Sequence, residues 1–187
     1  MAIKTFTTGE VLTASDTNTY LANSGLVYIK EVTLTGTAVN ITSCFSATYD
    51  AYRIIISNLT NSGGGVFLNY QLLSGTTPAS TGNYNNTRLG RSGSTILVTQ
   101  STAQTSGNLM PFDSGKNNQS IDIANPFLSV YTTLHGQCNY GAGVNAAEPE
   151  TCGSTHTLNT SYDGIRLISG AFNFTTGKAV VYGYRQA

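Results

Sequence analysis

The sequence predicts an all-β fold, a jelly-roll-like antiparallel β-sandwich preceded by one short N-terminal helix. Three observations carry this. From residue 26 onward, short runs rich in β-branched and aromatic residues recur, and turns rich in Gly, Asn, Ser and Pro separate them. Beyond residue 25 the chain carries no second helix signal, and regular short strands with such spacing argue for a sandwich or barrel. No repeat of fixed period is present, so a solenoid is disfavoured.

The candidate strands follow in order. LVYIKEVTL (Leu26 to Leu34) and AVNITSCF (Ala38 to Phe45) come first. YDAYRIIISNLT supplies a strong strand from Tyr52 to Leu59, and the turn Asn61-Ser62-Gly63-Gly64-Gly65 ends it. VFLNYQLL (Val66 to Leu73) reads as its hairpin partner. NYNNTRLGR, STILVTQ, QSIDIANPF, LSVYTTLHGQCNY, STHTLNT, GIRLISG and KAVVYGYR complete about nine or ten strands.

The stretch GEVLTASDTNTYLANSG (Gly9 to Gly25) differs. Thr13 is a suitable N-cap, and Asp16 three residues later favours the helix N-terminus. Asn23 and Gly25 can end the helix. Its body, Ala14 to Ala22, is too short and too polar to be stable alone. Contacts from Val11, Leu12, Tyr20 and Leu21 must hold it, either on its own sandwich or on another protein. The expected organisation is therefore residues 1–25 as an attachment segment and residues 26–187 as the sandwich domain.

Composition narrows the function. The 187 residues carry a formal net charge of +0, and only 10% of them are charged, against about 25% in ordinary soluble domains. Solubility must come from Thr, Ser, Asn and Gly. A nucleic-acid binder needs a basic patch, and the nine Lys and Arg are scattered; no nucleic-acid partner is expected. No run is long and apolar enough to span a membrane as a helix, and no basic amphipathic helix is present. The opening MAIKTF lacks the apolar core of a secretory signal, so synthesis in a cytoplasm without export is expected.

Two clusters raise chemical alternatives. HGQC and CGSTH place His135, Cys138, Cys152 and His156 within one stretch, superficially at the spacing of a zinc site. Strand parity argues against it, because His135 and Cys138 differ by three positions and fall on opposite faces. A cross-strand disulfide between Cys138 and Cys152 is a stronger reading than zinc, two free, semi-buried thiols remain the default, and no metal or other cofactor is expected. Glu148 and Glu150 flank Pro149 in an expected loop, too weak a pattern for a glycosidase carboxylate pair. No catalytic residue is assigned, and the chain is read as a non-enzyme. NYNNTR (Asn83 to Arg88) and CNYGAGVNAAEPE (Cys138 to Glu150) are the candidate recognition loops, with Tyr84, Asn85, Asn86, Tyr140 and Asn145 as candidate contacts.

The pattern Gly9-x-Val11-Leu12-Thr13-Ala14-x-Asp16-x-Asn18-x-Tyr20 resembles the N-terminal motif of many tailed-bacteriophage tail, fibre and spike proteins. YDAYRIIISNL, IDIANPF and the terminal VVYGYR resemble pieces of small phage virion proteins. The chain departs from the motif at Thr17, where that group often carries an aliphatic residue. The resemblance implies a virion structural protein of a tail fibre, spike or related appendage, made in the host cytoplasm and placed in the virion. It implies other virion proteins as partners, a homotrimeric assembly and contact with the host surface, where a glycan is the candidate ligand. Val11, Leu12, Asp16, Asn18, Tyr20 and Leu21 would then dock the segment. The alternative is a free lectin-like carbohydrate-binding module.

Overall fold

A computed structural model describes residues 7–11, 13–16, 25–92, 95–115, 117–140 and 148–185. Thirteen strands account for most of them. They are β1 (Leu26–Thr33), β2 (Ala38–Ile41), β3 (Ala51–Asn61), β4 (Val66–Ser74), β5 (Thr77–Pro78), β6 (Tyr84–Ser92) and β7 (Thr95–Gln104), then β8 (Gly107–Phe112), β9 (Asn117–Ala124), β10 (Thr132–Tyr140), β11 (Glu148–His156), β12 (Gly164–Ile168) and β13 (Phe174–Tyr184).

An eight-stranded sheet runs in the order β1-β13-β3-β9-β10-β11-β6-β7. A five-stranded sheet runs β2-β12-β4-β5, with β8 also paired to β4. Every ladder is antiparallel. The two sheets face each other in a sandwich-like arrangement, and one apolar core lies between them. Among the described residues no helix is long and apolar enough to cross a membrane.

Alternation explains which face turns inward. In β9 the residues Asn117, Gln119, Ile121 and Ile123 are buried and their neighbours are not, the period of two that a half-buried strand requires. Tyr52, Tyr70 and Tyr84 are fully buried. Each uses its hydroxyl: Tyr52 donates to the Ser46 carbonyl at 2.8 Å, Tyr70 to Ser154 Oγ at 2.9 Å, and Tyr84 to the Ala79 carbonyl at 2.9 Å. A buried Tyr contributes a large apolar area only when its polar end is satisfied. These three side chains account for part of the tyrosine-rich, tryptophan-free composition.

The expected N-terminal helix, Ala14 to Ala22, falls within the described residues only at its start. Helical geometry among the described residues is confined to Ala14–Asp16, less than one turn. Residues 17–24, with Asn18, Tyr20 and Leu21, lie outside the described residues, as does Leu12. Two strands are missing from the expectation, the short β5 and β8, whose Pro111 reads as a breaker. It is tolerated because β8 hydrogen-bonds on one side only, to β4, with Pro111 opposite Phe67.

Candidate functional site

Strand register assembles a surface on the outer face of the eight-stranded sheet, the face turned away from the core. One cross-strand row reads Tyr28, Tyr182, Arg53, Asp122, His135, Gly153, Thr87 and Gln100. The next row reads Val180, Ile55, Ser120, Gln137, Thr151, Leu89 and Val98. The middle of the second row, Ser120, Gln137 and Thr151, forms the floor of a groove of about 860 Å³. Ile55 stands on one flank, Leu89 and Ile96 on the other, and Pro149 closes one side; the floor between them offers the amide of Gln137 and the hydroxyls of Ser120 and Thr151. The groove is thus apolar at its walls and neutral-polar at its floor.

The first row carries the charge. Arg53 donates through Nε and Nη2 to the two carboxylate oxygens of Asp122, at 2.8 and 2.6 Å. Tyr184 donates its hydroxyl to Asp122 Oδ1 at 2.6 Å, and the Arg53 guanidinium lies 5.6 Å from the Tyr184 ring centroid. These donors hold the Asp122 carboxyl below its ordinary range, with the Arg53 hydrogen bonds the largest cause. His135 stands beside Asp122 in register, and its Nε2 lies 2.9 Å from Thr151 Oγ1.

A hydroxyl, an imidazole and a carboxylate in that order suggest a nucleophilic relay. The geometry does not complete one. Arg53 and Tyr184 take up the carboxylate, and Thr151 Oγ1 also donates to the Gly136 carbonyl at 3.1 Å. The main chain around Thr151 is paired on both sides, to β10 and β6, so its amides cannot form an oxyanion hole.

The candidate recognition residues are redistributed. Asn83 to Arg88 was expected to lie in an exposed loop, but Tyr84 begins β6 and is fully buried, its hydroxyl also accepting the Leu72 N–H at 2.9 Å. Asn86 is buried as well: its Oδ1 accepts from Ser154 Oγ at 2.7 Å and from the Asn108 N–H at 2.9 Å. Alternation sends both side chains inward, which corrects their reading as contacts. Asn85 is exposed, and its Oδ1 accepts the Ala103 N–H at 3.2 Å. Tyr140 ends β10 with its side chain outside the described residues, and Asn145 lies outside them entirely.

Cys138 and Cys152 follow the default reading and do not form the possible disulfide: both are free, buried thiols. Register is the reason. Cys138 pairs with Glu150 and Cys152 with Gly136, so the two cysteines are diagonal neighbours, typically about 7–8 Å apart at Cα, beyond bridging reach. His135 is on the outer face and Cys138 on the inner one, as parity requires. Among the described residues no three His, Cys, Asp or Glu side chains converge as a metal site. Burial pushes the thiols of Cys44, Cys138 and Cys152 up to about 12, so little thiolate exists at neutral pH. A thiol reagent such as DTNB is expected to label the three cysteines only after unfolding; rapid labelling of the native protein would contradict this burial.

His156 lies behind the surface, inside the core. Its ring packs 4.5 Å from Tyr84 and 5.2 Å from Tyr162, centroid to centroid, and neither ring nitrogen has a hydrogen-bond partner among the described residues. Burial lowers its pKa. The unfolded chain therefore binds the proton more readily, and stability is full above the ordinary histidine value of about 6.5 and falls as pH drops below it. Urea midpoints measured from pH 8 to 5 are expected to show this fall, and His156→Phe is expected to flatten it. Asp122, with its lowered pKa, contributes in a separate window below about pH 4.

No protein-family model matches this chain, and a search of curated proteins returns no significant match.

Proposed function

We propose that the chain is a non-enzymatic structural component of a tailed-bacteriophage virion, part of a tail fibre, spike or related appendage. It attaches through residues 1–25 to other virion proteins, assembles as a homotrimer, and turns the outer groove toward a host-surface glycan. One observation carries the reading. Every residue from Thr7 to Ser15 whose side chain is described is exposed, and Val11 is 79% exposed. Val11 is one of the apolar residues available to anchor the segment, and it does not join the core. A segment that carries the resemblance to a phage attachment motif and stays off its own sandwich fits a docking role.

The strand order supports a jelly roll as the finer fold. Eight strands, β1, β2, β3, β4, β8, β9, β12 and β13, lie as β1-β13-β3-β9 in one sheet and β2-β12-β4-β8 in the other. That is first-eighth-third-sixth over second-seventh-fourth-fifth, the order of two interlocked Greek keys. On this reading β5–β7 and β10–β11 are insertions, and β10, β11, β6 and β7 widen one sheet beyond the jelly roll. Most of the groove's lining lies on these added strands, where loop and strand insertions place function on a common scaffold.

The test is a chain that starts at Ser24. It is expected to stay soluble, keep its β circular-dichroism spectrum and its oligomeric mass, and fail to join particles. Loss of folding would instead show that the segment packs on its own sandwich. The groove also fits a second reading, a free lectin-like module: hydroxyl and amide groups between apolar walls suit a neutral sugar. Binding of soluble glycans by a chain that is never found in particles would favour it.

A further inference from the structure

The two edges of the eight-stranded sheet are built differently. β1 carries Lys30 and Glu31, and a bulge between Tyr28 and Lys30 breaks its register. Lys30 Nζ donates to the Thr42 carbonyl at 2.8 Å, and Glu31 pairs with Lys178 at 2.6 Å. Charges and a bulge are the devices by which native sheets block strand addition. β7 has neither along most of its length. Its sequence TILVTQSTAQ holds no charged residue and no proline. Its ladder with β6 is regular from Thr95 to Ser101, and the irregularity lies only at the far end, near Ala103, whose φ is 53°. Among the described residues no strand lies beyond β7.

The exposed side chains of β7 point the same way. Ile96 is 69% and Val98 65% exposed, and Leu89, directly opposite Val98 on β6, is 47% exposed. All three lie on the outer face, and Leu89 and Ile96 line the groove. An edge strand with open main-chain groups and an apolar strip beside it is a template for another strand.

We propose that β7 is an interface between copies of this chain, formed by antiparallel pairing of β7 with β7 of a second copy. The strand is neutral and the whole chain has formal net charge +0, so two copies approach without net like-charge repulsion. The pattern is also self-complementary. A twofold centred at Leu97 sets Ile96 of each copy opposite Val98 of the other and keeps both on one face. The hairpin's two-residue connection makes Ser92 and Thr95 a hydrogen-bonded pair, so by alternation Ile96, Val98 and Gln100 turn their N–H and C=O groups to the free edge. The contact is twofold, hence separate from a threefold assembly: a monomer that uses it becomes a dimer, and a trimer becomes a hexamer. It does not depend on the virion reading.

The experiment is a mass measurement of the full-length chain by light scattering over a range of concentrations. The expected result is an even-numbered oligomer. Val98→Lys, at a side chain already exposed, and Gln100→Pro, at an N–H that faces the free edge, are each expected to halve the mass with an unchanged β spectrum. Should Gln100→Pro disturb folding, Val98→Lys still decides. Amide exchange at Ile96, Val98 and Gln100 is expected to slow at the concentrations where the oligomer forms. A wild-type chain that stays monomeric or trimeric at every concentration overturns the proposal, as does an even-numbered mass that survives Val98→Lys. A monomeric wild type whose Val98→Lys variant alone fails to join particles would assign the edge to a different protein, and overturns it equally.

Discussion

Gly107→Ala is expected to destabilise the sandwich by about 4 kcal/mol, among the larger effects of a single methyl group. A Cβ at residue 107 would lie 1.9 Å from Tyr70 Cε1 and 2.3 Å from its Cζ, well inside contact distance. Tyr70 cannot step aside cheaply. It is fully buried, packs edge-on against Tyr84 at 5.5 Å, and is tied by its hydroxyl to Ser154. Ser154 in turn donates to Asn86, which accepts from the N–H of Asn108, the residue after the glycine. Moving the ring therefore disturbs a polar network that links both sheets, where each broken buried bond costs about 1–3 kcal/mol. Gly153→Ala is the control: nothing lies within 4 Å of its Cβ, and a change of no more than about 0.5 kcal/mol is expected. Combining Gly107→Ala with Tyr70→Leu is expected to cost less than the two separately, because the same clash is removed. Urea denaturation of the four variants checks this; a Gly107→Ala chain as stable as the Gly153→Ala chain would contradict the packing described.

Much of the scaffold was legible because the strands advertise themselves. Tyr52 to Leu59, Val66 to Leu73 and Lys178 to Arg185 are dense in β-branched and aromatic residues, and all three fall within or almost within observed strands. β8 was hidden by a proline that only its one-sided pairing tolerates. The candidate surface was less legible, for a physical reason. A groove on a sheet face is set by cross-strand register, and register is a tertiary quantity. Ile55, Gln137, Thr151 and Leu89 are far apart in the chain and become neighbours only once β3, β9, β10, β11 and β6 are aligned. The same term decides the cysteine pair: an offset of two residues separates a bridgeable pair from a diagonal one. Tyr84 and Asn86 show the reverse failure. Asn-rich sequence was read as exposed, yet one Asn in that run caps a buried network that no local pattern announces.

The added strands have their own internal anchor, and this gives the second large expected effect. Arg88 on β6 and Glu150 on β11 form an ion pair at 3.4 Å on the inner face, directly beneath the groove, with side chains only 15% and 3% exposed. The Arg88 guanidinium also lies 4.6 Å from the centroid of Phe67, on the opposing sheet, so one side chain clamps β6 to β11 and to β4. Arg88→Leu removes the cation that faces a buried carboxylate, and such a loss costs about 3–5 kcal/mol. Removing both charges is a different case. Arg88→Leu with Glu150→Met leaves apolar groups of similar size, and buried pairs replaced in this way often lose little or gain stability. The double variant is therefore expected to recover most of the loss. The prediction is checked by the thermodynamic cycle: Arg88→Leu, Glu150→Met and the pair, each measured in urea at pH 7. A large loss in the single Arg88 variant with recovery in the double shows that the cost lies in the carboxylate that has lost its cation. Equal losses in both would place it instead in the Arg88–Phe67 packing, and the wide sheet that carries the groove would owe its rigidity to that stacking rather than to the ion pair.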